Sequence, residues 1–152
     1  MKKKASPDCL RILQVLLASL RAAHLLHWAG HWQAGGDTQY GDHLLLERIY
    51  TGLEDHIDTL AEKIVSEYEA PAVDPIDQAK LISELTCSMC DTVCESVPER
   101  SLKVEEDLQK LLKSSYEHLK TSGQLSLGMD DYLMATANDH DTFVYLLRQR
   151  VL

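Results

Sequence analysis

The sequence predicts an all-α protein: four long helices forming a bundle, with a short extra helix between the second and the third. Three observations predict this. Apolar residues recur at helical spacing through most of the 152 residues. Glycine and proline punctuate the chain between the periodic stretches, and few stretches read as strands. The periodic stretches run for roughly 20 to 28 residues, a length that suits helices sharing one core.

Ser6-Pro7-Asp8 starts the first helix, with Ser6 as cap and Pro7 in the first turn. Leu10, Leu13, Leu16, Leu17 and Leu20 form its apolar stripe, and it runs to about Trp32 before Gly35-Gly36-Asp37. The second helix runs from near Tyr40 to about Tyr68, through Leu45, Leu46, Ile49, Leu53, Ile57, Leu60, Ile64 and Val65. Pro71 and Pro75 separate it from the short helix, Ile76 to Cys94. Pro98 marks the next boundary. A helix from about Glu99 to Leu119 carries Leu102, Leu108, Leu111 and Leu112, and Ser122-Gly123 stops it. The last helix spans about Met129 to Arg150, with Leu133, Phe143, Leu146 and Leu147. Residues 1–152 read as a single domain, with residues 1–6 as a flexible lysine-rich arm.

An apolar fraction of 45% is enough for one substantial core, and a charged fraction of 26% suits a soluble protein. No uninterrupted apolar run reaches the roughly 18 residues of a membrane span. A basic start before an apolar stretch imitates a signal peptide. Arg11, Gln14 and Arg21 break that stretch and no convincing cleavage site follows, so a cytoplasmic protein is expected. The net charge is −9, and setting aside Lys2, Lys3 and Lys4 leaves −12 on the rest. Such a body attracts cations and argues against a general nucleic-acid-binding surface.

The second helix carries the chemistry. His43 and Glu47 are four residues apart and share a face; so do Asp58 and Glu62. Carboxylates with imidazoles suit iron and similar divalent metals. Either pair alone is equally readable as a solvated or salt-bridged face. His43 and Asp58 lie 15 residues apart, about 22 Å along a helix axis, yet rotated by only about 60°. One straight helix cannot fold both pairs onto one ion. Two copies crossing antiparallel about a two-fold axis can, and that operation builds two identical sites. Gly52, the midpoint, offers close approach at such a crossing. His31 lies twelve residues before His43 across the glycine-bearing turn, placed to join His43 and Glu47.

His31-Trp32, His43, and Asp58 followed by Ala61-Glu62, at intervals of 12, 15 and 4, resemble the ferroxidase motif of Dps proteins, the DNA-protecting mini-ferritins. The resemblance is strong from His27 to Ile64 and weaker elsewhere; ANDHDTFVYLLRQRV also resembles that family's closing helix. The chain looks like a divergent member. The family commonly has aspartate where Glu47 stands, and the loop WQAGGDTQYGDH lacks the family's Pro-Asn-Phe character. The resemblance implies a ferritin-like bundle in a hollow dodecameric shell built from two-fold dimers. It implies oxidation of ferrous iron, preferably by hydrogen peroxide, with ferric mineral stored inside, which protects against oxidative damage. His31, His43 and Glu47 of one subunit would face Asp58 and Glu62 of another, all five serving as iron ligands and catalytic residues, with Trp32 packed beside them. Large ferritins use Glu-x-x-His pairs within one subunit. None of the 11 glutamates here has a histidine three positions later.

Three other features carry alternatives. Cys87, Cys90 and Cys94 fall at i, i+3 and i+7, as small buried hydrophobes at a helix interface, where a dimer contact is plausible, or as a soft-metal or redox patch. His24, His27 and His56 read as packed, hydrogen-bonded histidines or as secondary metal ligands. Lys2, Lys3 and Lys4 form either a solubilising terminus or an arm for non-specific contact with DNA phosphates, multiplied by avidity in a shell. A DNA-binding structural shell with a vestigial metal site is therefore the alternative function, and a helical interaction module without metal the third.

Overall fold

A computed structural model of the chain describes residues 6–68, 70–90 and 96–152. Its helices are α1 (Pro7–Gln33), α2 (Gln39–Glu67), α3 (Pro75–Cys90), α4 (Val97–Thr121) and α5 (Leu127–Val151), with a 3₁₀ turn at Ala70–Val73. No strand occurs among the described residues. Lys2, Lys3, Lys4 and Cys94 lie outside them.

Local chemistry sets the helix starts. The Ser6 hydroxyl accepts from the Cys9 amide with Pro7 in the first turn, as the sequence predicts. Ser96 and Glu99 form a reciprocal capping box at α4, and Ser126 caps α5 through the Met129 amide.

Side-chain contacts fix the topology. Cys9 at the start of α1 meets Ser122 after the end of α4, at 3.3 Å. Glu67 at the end of α2 accepts from Ser126 at the start of α5. Asp42 at the start of α2 binds Arg150 at the end of α5. Thus α1 runs antiparallel to both α2 and α4, while α2 and α4 run parallel. α2 and α4 follow each other in the bundle yet run parallel, so the chain must return along the bundle between them, and α3 is that crossover.

α1 is the central element, packing against α2, α3 and α4. It is long and apolar enough to cross a membrane, with mean hydropathy 1.5 over its best window. Here that apolarity fills the core: Leu13, Leu16, Leu17 and Leu20 are fully buried against Leu53, Leu60, Leu108 and Leu112.

Geometry narrows one expectation and overturns another. Cys87 and Cys90 are not buried between helices of their own chain, so only a partner chain could cover them. Gln78 is the one fully buried side chain of α3, and these cysteines sit about 180° and 120° around the helix from it. Gly52 does not face a partner chain: a Cβ there would lie 2.9 Å from Phe143 Cζ. Nine residues from His43, it points to the opposite side of α2, where it admits the α5 ring.

Candidate metal centre

The five-residue turn 34–38 folds the end of α1 back along the start of α2. Gly30 lets α1 close on its neighbours, since a Cβ there would meet Val97 at 2.9 Å and Leu46 at 3.3 Å. The first turn of α2 is anchored by Asp42, a buried carboxylate that accepts from Thr38 Oγ1 at 3.0 Å and from the Arg150 guanidinium.

That hairpin stacks His31 on His43, with ring centroids 3.5 Å apart and planes 23° from parallel. His31 Nδ1 donates to the His43 carbonyl at 2.8 Å, and His43 Nδ1 donates to the His31 carbonyl at 2.9 Å. A carbonyl only accepts, so both Nδ1 atoms carry a proton, and in the neutral rings each Nε2 holds the lone pair. The Glu47 carboxylate, one turn on, completes a group whose ligand atoms lie within 4.8 Å of one another. The rings are thus held for coordination by backbone contacts, the outer-sphere arrangement that orients histidine ligands.

Asp58 and Glu62 do not join this group. α2 is continuous between them, so both sit exposed, about 22 Å and more along the axis from His43. Asp58 lines a concavity with Arg21, His24, Leu25, Glu54 and Ile57. The structure thus brings three of the five expected residues together and leaves two on the same outer face of α2.

Aromatic side chains flank the three. Tyr50 stands edge-on to His31 at 5.3 Å, Trp28 stacks on Tyr50 at 5.4 Å, and Trp32 leans on Trp28 at 5.3 Å. Trp32, next in sequence to His31, is 67% exposed in the single chain, while Tyr50 is the ring that stands against His31. Partial burial and the Glu47 and Glu54 carboxylates push the Tyr50 phenol above its ordinary value. Tyr50 was legible in principle: it falls three residues after Glu47 and seven after His43, on their face.

A second polar group lies inside the bundle. Glu105 on α4 is fully buried and accepts from His27 Nε2 at 2.7 Å and from His140 Nδ1. Burial pushes its carboxyl up, but the two imidazoles overcome this and hold it at about 2. His27 Nδ1 meets Ser101 Oγ at 3.1 Å. His27 is therefore a hydrogen-bonded core histidine. His24 and His56 are partnered by Glu54 at 3.3 Å and Asp139 at 2.9 Å.

No protein-family model matches the chain, and no curated protein matches it in sequence. Solved structures do. Dps from Thermosynechococcus elongatus superposes with a TM-score of 0.77 at 19% identity, covering 95% of this chain and 90% of that one. Mycobacterium smegmatis Dps in a tetragonal form gives 0.78 at 22% identity, covering 94% and 84%. A Mycobacterium smegmatis Dps1 variant gives 0.75 at 20% identity, covering 95% of each. The chain has the fold of the Dps proteins, a ferritin-like four-helix bundle with a crossover helix.

Proposed function

We propose that the chain is a subunit of a Dps-like mini-ferritin that oxidises ferrous iron at a centre shared by two chains and stores the ferric product in a cytoplasmic dodecameric shell. The observation that carries this is the reciprocal lock between His31 and His43. It presents two neutral nitrogen donors beside one carboxylate, the two-histidine, one-carboxylate set that suits ferrous iron with open positions. Iron is the substrate here, and the remaining positions receive Asp58 and Glu62 of a two-fold partner.

Exposed Leu25, Trp28 and Trp32 support the dimer, because such a row beside a ligand group is surface that a partner covers. In the proposed reaction two ferrous ions each lose one electron. The O–O bond of one peroxide takes both electrons and, with two protons, becomes two waters. The carboxylates favour the product because they compensate its greater positive charge.

The test is peroxide-driven loss of ferrous iron. The proposal expects loss well above the buffer rate, falling at least about tenfold in His43→Ala and His31→Ala, since removing a ligand typically costs more than removing its outer partner. Loss at the buffer rate, or an unchanged rate in His43→Ala, would overturn it. Non-specific DNA contact through Lys2, Lys3 and Lys4 belongs to the same reading. A mobility shift that weakens steeply with salt and disappears without residues 1–4 supports that contact.

A further inference from the structure

Each of the four bundle helices contributes an ionisable side chain to one contiguous interior group: His27 from α1, His56 from α2, Glu105 from α4 and His140 from α5. Two nitrogens in this group have no partner. They are His56 Nδ1 and His140 Nε2, both buried. His140 is wholly inaccessible, and the His56 side chain is 11% exposed.

The outer nitrogens of the same rings are held by carboxylates. His140 Nδ1 binds Glu105 Oε2, and His56 Nε2 binds Asp139 Oδ2 at 2.9 Å. Ionised carboxylates only accept, so the proton of each neutral ring sits on its outer nitrogen. The inner nitrogens are then bare lone pairs inside the protein with no donor to meet them. Such groups are costly unless something positive or protic occupies the space between them.

We propose that His56 Nδ1 and His140 Nε2 form a second metal site within the bundle, taking a late first-row divalent cation such as zinc. Carboxylate–histidine–metal is the usual way a protein fixes the tautomer and orientation of a histidine ligand, and both rings have that support. The spacing agrees. A zinc ion about 2.0–2.1 Å from each nitrogen, with a tetrahedral angle between them, sets the ring centroids roughly 5 Å apart. The observed separation is 5.2 Å, with planes tilted by 41°. Glu105 and Asp139 place two carboxylates behind the rings, matching a divalent charge. With two protein ligands, the site would hold its ion more weakly than a four-ligand structural zinc site. It shares no residue with the His31, His43 and Glu47 group and does not depend on it.

The test begins with His31→Ala/His43→Ala, which removes the other candidate centre. Cobalt(II) titration of this variant is expected to give the visible bands of tetrahedral coordination, saturating near one ion per chain and displaced by zinc. His140→Gln or His56→Gln in that background is expected to abolish the bands. Asp139→Asn, at a half-exposed position, keeps the fold and weakens binding by about 10- to 100-fold. Crystals of the unsubstituted protein soaked in zinc are expected to show an anomalous peak between the two nitrogens, whatever the variants do. Bands that survive His56→Gln and His140→Gln would overturn the site, as would zinc-soaked crystals with only water or nothing there.

Discussion

Replacing Glu105 by glutamine changes one charge at constant shape, and the structure sets the size of the effect. The carboxylate is fully buried and accepts from His27 and His140. An amide accepts through one atom only, so one ring loses its partner or must move its proton. The carboxyl is held at about 2 against an ordinary value of 4.5. At about 1.4 kcal/mol per pH unit this corresponds to roughly 3 kcal/mol of stability. The sign follows from the depressed value. The contribution is present above about pH 4.5 and is lost as pH falls toward about 2. Glu105→Gln behaves like the protonated acid, so it is less stable by roughly 3 kcal/mol at pH 7 and matches the parent near pH 2. For a chain of this length that lowers the melting temperature by about 6–12 °C at neutral pH. Urea unfolding of both proteins across a pH series, at one protein concentration, measures the difference. Equal stability at pH 7, or a deficit that persists undiminished at pH 2, refutes the charge-based account of this core.

Other substitutions test the packing around the candidate centre. Gly52→Ala adds a Cβ 2.9 Å from Phe143 Cζ. The helix-propensity gain of about 1 kcal/mol is outweighed by overpacking of about 1–3 kcal/mol, so thermal denaturation should show a net loss. A stabilised Gly52→Ala would mean that Phe143 yields freely. Arg150→Ala leaves the buried Asp42 carboxylate with Thr38 alone and should cost about 1–2 kcal/mol by urea midpoint, allowing for the exposure of Arg150. Arg150→Lys should restore only part of this, because lysine lacks the fork that engages both carboxylate oxygens.

Much of the fold is legible because helical period and turn residues carry it. The leucine stripe of α1, the cap at Ser6 and the breaks at Gly35-Gly36 and Pro71 all correspond to observed boundaries. The start of α4 is set by Ser96 and Glu99, which form a capping box whose Ser-x-x-Glu pattern stands in the sequence but is overshadowed by Pro98. The grouping of His31, His43 and Glu47 is also legible, since it depends on one short turn and one helical turn. What escapes is three-dimensional. Gly52 reads as a crossing point along the axis, while its rotation around the helix points it at Phe143. Glu105 sits in register with Val104, Leu108 and Leu112, where a core residue belongs. Its partners lie 78 and 35 residues away, so no local pattern announces them. Asp58 and Glu62 could join that group only from a second chain, and one sequence shows only that they cannot reach His43 in their own.

The central claim is that one iron-oxidising site is divided between two chains, and intersubunit complementation tests it most directly. His43→Ala and Asp58→Asn chains are each purified, shown to be inactive, then unfolded together and reassembled as a mixture. In a mixed two-fold dimer one site carries both lesions and the other carries neither, so random assembly restores about one site in four. The account predicts that peroxide-driven ferrous oxidation returns to about a quarter of the parent rate. A mixture as inactive as its separate components would contradict a shared site.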